Sequence, residues 1–217
     1  MRLFWGKAKP PTPMEVTAQY GDLCYFELPE EAAEFIGACG WRKGQTFVEV
    51  GGLGSPLPVI AAQLGLHAIL YDQDQELTGE VNALAAGRLG KKVRRVSGSL
   101  QGIPDRFVNF GDYFSPDSIN HLAAFGVLEL QMGIDEEHTA QVESFLRDGF
   151  RALQVGGSIS VNDPQKSPIY RGRQDLPGVV AKTAGECRVR LGEPREISRY
   201  SHGAIIVRRV LGKETQK

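Results

Sequence analysis

VEVGGLGS, residues 48–55, is the stretch on which the fold turns. It joins a short β-rich run, TFVEV (Thr46–Val50), to three glycines, Gly51, Gly52 and Gly54. The run is mostly apolar and suits a strand buried in a parallel sheet. The next residues, PLPVIAAQLG, read as a helix with Ser55 as N-cap and Pro56 at its first position. Strand, glycine turn and helix in this order make a ligand site for a geometric reason. Glycine has no Cβ, so the backbone turns tightly and approaches a bound group closely, and a helix start adds unpaired N–H groups.

Outward from this turn, strands and helices alternate. HAILY (His67–Tyr71) predicts a second strand ending at Asp72, and ELTGEVNALAAGRLG a helix closing at Gly90. KVRRVSGS, residues 92–99, is a weaker third strand, and residues 105–117 read as loop or broken helix. INHLAAF (Ile119–Phe125) predicts a fourth strand. EEHTAQVESFLRDGFRALQVGG predicts a long amphipathic helix, with Val142, Phe145, Leu146, Phe150 and Leu153 near helical spacing and Gly156–Gly157 as its end. Ser158–Asp163 is the fifth strand. REISRYSHGAIIVRRV reads as two strands around a Ser201-His202-Gly203 turn. Upstream, a helix spans Pro29 to Ala38, and residues 1–14 form a proline-rich arm. The alternation predicts an α/β fold with a mainly parallel sheet and a closing antiparallel strand.

Composition narrows the function classes. The 217 residues are 41% hydrophobic and 24% charged, enough for one cored domain rather than a disordered chain. No apolar run approaches the ~20 residues of a membrane span, and the first residues lack the apolar stretch of a signal peptide. Cys24, Cys39 and Cys187 are far apart with no CxxC, which argues against a zinc site or a disulfide framework and makes a reducing cytoplasm the expected setting. Net charge is −1, but unevenly spread. Residues 1–163 hold 13 Lys+Arg against 21 Asp+Glu, and residues 164–217 hold 12 against 5. The chain as a whole is no basic nucleic-acid binder, while its last quarter suits either an anionic partner or a solvated surface.

Three ligand classes compete for the glycine loop. A phosphate-cradling P-loop needs GxxxxGK[ST], and no lysine follows these glycines. A dinucleotide fingerprint needs GxGxxG; Gly52 and Gly54 supply two positions, but Leu57 stands at the third. The third class is an S-adenosylmethionine site. In ordered features the chain resembles the Rossmann-like (class I) methyltransferases. VEVGGLGS resembles that family's first motif, with Glu49 two residues before the first glycine; YDQDQEL resembles its second-strand end, with Asp72 in the place of the ribose-binding acid. VSGSLQGIP resembles the adenine-side segment, LAAFGVLEL the fourth-strand motif, and FRALQVGGSISVND the last helix, turn and fifth strand. The likeness covers residues 45–163, and more weakly the rest. Leu53 and Ser55 depart from a strict GxGxG register, Ser99 stands where the family often has Asp, and there is no Asn-Pro-Pro-aromatic tetrapeptide.

The resemblance implies one domain over residues 1–217: an arm and cap segment (1–44), a cofactor-binding core (45–163), and a substrate loop with terminal hairpin (164–217). It implies a seven-stranded, mainly parallel sheet with helices on both faces. S-adenosylmethionine would be held by Glu49, Gly51, Gly52, Gly54, Asp72, Gln73, Ser99, Leu100 and Phe125, with no metal. Ligands of open parallel sheets bind beyond the carboxyl ends of the strands. That rule sets aside His67 and His121 and favours Asp163, Glu129 and His202 as catalytic candidates. Tyr20, Tyr25, Arg171 and Arg173 are candidates for binding a small-molecule acceptor, one with an anionic group if the two arginines act together. No nucleic-acid or membrane partner is expected, and a homodimer stays open. The rivals are a non-catalytic protein that keeps the fold and binds the cofactor, and a nicotinamide-dependent oxidoreductase.

Overall fold

A computed structural model describes residues 10–21, 23, 26, 28–52, 54–87, 98–128, 134–162, 176–197 and 204–210. Leu53, Gly90, Tyr25, Glu129, Asp163, Arg171, Arg173 and His202, and most of the expected third strand, lie outside the described residues.

The elements follow the alternation in the sequence. Helices α1 (Pro13–Thr17) and α2 (Pro29–Cys39) precede β1 (Thr46–Val50), α3 (Leu57–Gln63), β2 (His67–Asp72), α4 (Gln75–Ala85) and β3 (Ser99–Pro104). A 3-10 turn (Phe107–Asn109) and α5 (Phe110–Tyr113) lead to β4 (Ile119–Ala124). Then come α6 (Glu136–Ala152), β5 (Leu153–Asn162), α7 (Leu176–Glu186), β6 (Arg190–Leu191), β7 (Arg195–Ile197) and β8 (Ala204–Val210).

The strand order is β3-β2-β1-β4-β5-β8-β6, with β7 also on β8. The first five strands are mutually parallel, and β8 runs antiparallel to β5. Both β5 and β7 pair with residues 204–206, so they hold opposite edges of β8. The outer position is thus shared by two short strands, and among the described residues eight strands stand where seven are expected. Alternation along β1 sorts the core. Phe47 joins the apolar cluster under α1–α4, while Val48 and Val50 join the one under α5–α7. Glu49 therefore faces the α2–α3 side.

Three element boundaries differ from expectation. The helix after β2 ends at Ala85, because Gly87 turns the chain at φ 74°. The long helix ends at Ala152, since Leu153 is already extended, buried and paired with Ile119. Gly156 and Gly157 then serve an irregularity inside β5, where the register shifts between Ile119 and His121 and Gly156 takes φ 82°. The third strand runs on past the expected end at Ser99: over the described residues it is SLQGIP, with Ser99 paired with His67 and Pro104 with Asp72. Pro104 ends it. The Asn82 side chain of α4 accepts from the Gly102 N–H (2.9 Å) and donates to the Gly102 carbonyl (3.1 Å). Only glycine allows this, because a Cβ there would come 2.4 Å from the Thr78 carbonyl oxygen.

Candidate functional site

The carboxyl edge of β1 and β2 is built by the glycine turn. Gly51 follows β1 with φ 66° and donates its N–H to the Tyr71 carbonyl (2.9 Å), which locks the turn to β2. A Cβ at Gly51 would lie 1.8 Å from Val127 Cγ2, so the position admits glycine alone. Ser55 N–H closes the turn on the Gly52 carbonyl (2.6 Å). Gly54 takes φ 81°, and apart from its chain neighbours no atom of the described residues lies within 4 Å of a Cβ placed there. The Ser55 hydroxyl accepts from Leu57 N–H (3.2 Å), yet α3 starts at Leu57 with Pro56 as N-cap, one residue later than expected. The helix has only seven residues, so the backbone of the turn, more than the helix, shapes this edge.

Two carboxyl groups lie under and beside the turn. Glu49 is 0% exposed, pairs in register with Leu70 and Ala123, and would touch a Cβ on Gly52 through Oε2 (3.2 Å). Neither of its oxygens has a hydrogen-bond partner among the described residues. Burial pushes its carboxyl up to about 8; the Ser55 hydroxyl pulls the other way from nearby without forming a bond, and Asp72 adds repulsion. Asp72 is 7% exposed and follows Leu70 by two residues, so it shares the Glu49 face. Its Oδ1 accepts from Asp74 N–H (2.9 Å). The cap of α4 is Asp74, which accepts from Glu76 and Leu77 N–H (2.8 and 2.9 Å). Asp72 is therefore not used to cap the helix.

The ends of β2 and β3 frame a groove of about 610 Å³ lined by Gln73, Asp74, Gln75, Pro104, Asp105 and Arg106. Asp105 takes hydrogen bonds from Arg106 N–H (2.6 Å), Asn109 (2.8 Å) and the Tyr113 hydroxyl (2.6 Å). The Tyr113 hydroxyl, then Asn109 and the Arg106 amide, hold its carboxyl below the ordinary range. Asp74, Asp105 and Arg106 were not among the residues singled out in the sequence. The signal was Pro104, which ends the strand and so brings the next two residues to the carboxyl edge.

The structure brings Glu49, Gly51, Gly52, Gly54, Asp72 and Gln73 together. It places four other candidates away from this cluster. Ser99 and Leu100 begin β3, at the amino edge of the sheet, where Ser99 Oγ meets His67 Nδ1 (2.9 Å) and Leu100 is buried in the core. Phe125 is 1% exposed, its ring packed on Phe35 (5.6 Å) and Phe26 (6.4 Å), so it is core. The Tyr20 hydroxyl donates to Gln63 Oε1 (2.9 Å) at the far end of α3, and burial lifts its pKa to about 12. It pins α1 to α3 instead of lining the carboxyl edge. His121 is bound to Ser158 Oγ and Gln45 Oε1, and His138 to the α6 cap Asp135, both structural. Ile197 and Ala204, which flank the segment holding His202, lie in register with each other beside Asn162, at the carboxyl edge.

The order 3-2-1-4-5 with a following antiparallel strand decides the architecture. The fold is that of the class I methyltransferases. Solved structures with this methyltransferase fold include an S-adenosylmethionine-dependent methyltransferase from Methanosarcina mazei (12% identity, TM-score 0.59, 82% of this chain and 98% of that one). Magnesium protoporphyrin IX methyltransferase from Synechocystis PCC 6803, with bound S-adenosylmethionine, shares 15% identity at TM-score 0.57, over 91% of this chain and 82% of that one. The N-methyltransferase NodS from Bradyrhizobium japonicum WM9, in complex with S-adenosylhomocysteine, shares 12% at TM-score 0.57, over 87% and 89%. No family model matches the sequence, and no curated protein matches it either. Among the described residues, no helix is long and apolar enough to cross a membrane, and no cluster of His, Cys, Asp and Glu could hold a metal ion.

Proposed function

We propose that this chain transfers a methyl group from S-adenosylmethionine to a small-molecule acceptor. The observation that carries the reading is Asp72: a nearly buried carboxylate at the end of β2, beside the glycine turn, left out of the helix cap by Asp74. A ribose offers two hydroxyl donors, and a carboxylate there can accept both. The orphaned Glu49 carboxyl suits a cofactor that carries positive charge. The residues present therefore fit the group. Gly52 and Gly54 let the backbone come close, and Gln73 and the groove to Arg106 take the nucleoside end.

The cofactor supplies an already activated methyl group. The protein's part is to hold the acceptor in line and keep water out. Where the acceptor must lose a proton, Asp163, Glu129 or His202 would take it, each expected from the sequence on the carboxyl side of the sheet. Arg171 and Arg173, with Tyr25, would bind the acceptor and favour one with a carboxylate or phosphate. We read β6 and β7 as one interrupted edge strand, which makes the sheet the seven-position arrangement with an antiparallel hairpin. We take residues 1–217 as a single domain working in the cytoplasm without nucleic acid, and a homodimer is compatible with it.

A second reading is a protein that binds the cofactor without turnover. Leu53 and Ser55 in the turn, and Asp105 held by its own neighbours, favour it. Thermal shift with S-adenosylmethionine, S-adenosylhomocysteine, NAD and NADP tests the cofactor. A ligand at 100 times its dissociation constant stabilises by ~2.7 kcal/mol. Stabilisation by NAD alone would sink both readings. Release of S-adenosylhomocysteine in the presence of candidate anionic acceptors separates transferase from binder.

A further inference from the structure

Glu49 is an ionisable group placed where an ordinary strand would have an apolar one. Its neighbours in register are Leu70 on β2 and Ala123 on β4. The helices on its face, α2 and α3, contribute Phe35, Ile36, Leu57 and Ile60 to the core. Above it is Gly52, with the Ser55 hydroxyl nearby. Among the described residues, Asp72 is the charged group that bears on it, and its sign is the same. Both Glu49 oxygens are fully buried and have no hydrogen-bond partner among the described residues. A carboxyl so placed has two stable conditions: neutral and protonated, or ionised beside a cation.

We propose that binding of a cationic ligand in the glycine-turn site converts Glu49 from the first condition to the second, so that cofactor uptake expels one proton to solvent. The inference rests on the cofactor reading above. S-adenosylmethionine brings a sulfonium and an ammonium charge, and neither is broken or formed in the step. The carboxyl proton leaves for the buffer, and the carboxylate left behind pairs with the ligand's charge. Affinity then depends on pH in a definite direction. Burial holds the free carboxyl near 8, so below that value the proton must be displaced. Binding strengthens roughly tenfold per pH unit toward neutrality and levels off above the free value. A neutral nucleoside such as methylthioadenosine, which has neither charge, displaces nothing.

Calorimetric titration of the whole chain with S-adenosylmethionine at pH 6.5, in two buffers of different protonation enthalpy, reads the proton directly. The expected result is about one proton released per cofactor bound, and none with methylthioadenosine. Glu49→Gln keeps the side-chain shape and removes the titration. It should release no proton and lose the pH slope between 6 and 7.5. Equal heats in both buffers for the unaltered protein would overturn the inference and leave the cofactor reading intact. No binding of S-adenosylmethionine at any pH would overturn both. The unaltered protein alone decides the matter if Glu49→Gln does not fold.

Discussion

Asp72 and Asp74 divide the work at the end of β2. Asp72 Oδ1 takes the Asp74 N–H, which orients the loop, and the Asp74 carboxylate takes the two N–H groups that open α4. Substituting either acid should separate ligand binding from stability. Asp72→Ala should weaken S-adenosylmethionine by ~1.5–3 kcal/mol, the range for a hydrogen bond to a charged group. Asp74→Ala should cost ~1 kcal/mol of stability through the lost cap. Titration calorimetry and chemical denaturation on the same two proteins check this; the reverse pattern would refute the assignment.

The glycines of the turn should fail in different ways. Gly51→Ala places a Cβ 1.8 Å from Val127 Cγ2 at a positive φ, so it should destabilise the fold by ~2–4 kcal/mol. Gly54→Val places its Cβ clear of the described residues and costs chiefly through φ, so the protein should stay folded while cofactor affinity is lost. Melting curves with and without S-adenosylmethionine distinguish the two.

Ser99 should be silent. It sits at the amino edge with His67, so Ser99→Ala and Ser99→Asp should leave cofactor affinity within twofold. A gain of binding in Ser99→Asp would mean that the adenine lies where the sequence resemblance first put it.

Glu49 also sets a pH dependence of stability. Its carboxyl is raised in the fold from 4.5 to about 8, so the folded state binds the proton more tightly than the unfolded chain. Its contribution to stability should be fully present below the unfolded value, fall as pH rises from about 4.5 to about 8, and then level off. Glu49→Gln should remove this decline and gain on the order of 2–4 kcal/mol at pH 8. Denaturation midpoints of the two proteins across pH 5–9 measure the difference. Parallel curves would show that Glu49 does not titrate in the fold.

Arg171 and Arg173 carry the anionic-acceptor proposal. The double change to alanine should raise the acceptor's KM and leave S-adenosylmethionine affinity alone. Added salt should mimic it, since exposed charges are screened over ~8–10 Å at moderate ionic strength. Unaltered kinetics in the double variant would remove the arginines from the site.

The parts of this molecule legible in its sequence are those where local chemistry and tertiary role agree. TFVEV and HAILY are apolar, β-rich and closed by turn residues, and β1 and β2 follow them within a residue. The third strand shows the opposite. Residues 92–97 lie outside the described residues, and the strand reaches Pro104, five residues past the end that KVRRVSGS suggests, where Gly98 packs its backbone against Leu66 and Gly102 must lie under Thr78. Those are long-range contacts that no window of sequence displays. The surroundings of Phe125 and Tyr20 are hidden in the sequence for a related reason. A strand-end aromatic and an upstream tyrosine look alike whether they line a pocket or fill a core, and only Phe35 and Gln63 decide. The position of Asp72 and Glu49 beside the glycine turn, by contrast, follows from the sequence, because each acid stands at or next to the end of a buried strand.

Outside the ligand edge, the Asn82 clamp on Gly102 bears on how this protein behaves in a crowd. β3 is the border of the sheet, and a bare border strand recruits other chains through its free N–H and carbonyl groups. One amide side chain occupies both groups of the middle residue, as a neighbouring strand would. A foreign strand cannot zip past that point without first prising α4 from the sheet. Asn82→Leu would leave those groups unsatisfied and offer them for pairing, so its first symptom should be self-association at high concentration, ahead of any loss of helix or of ligand binding.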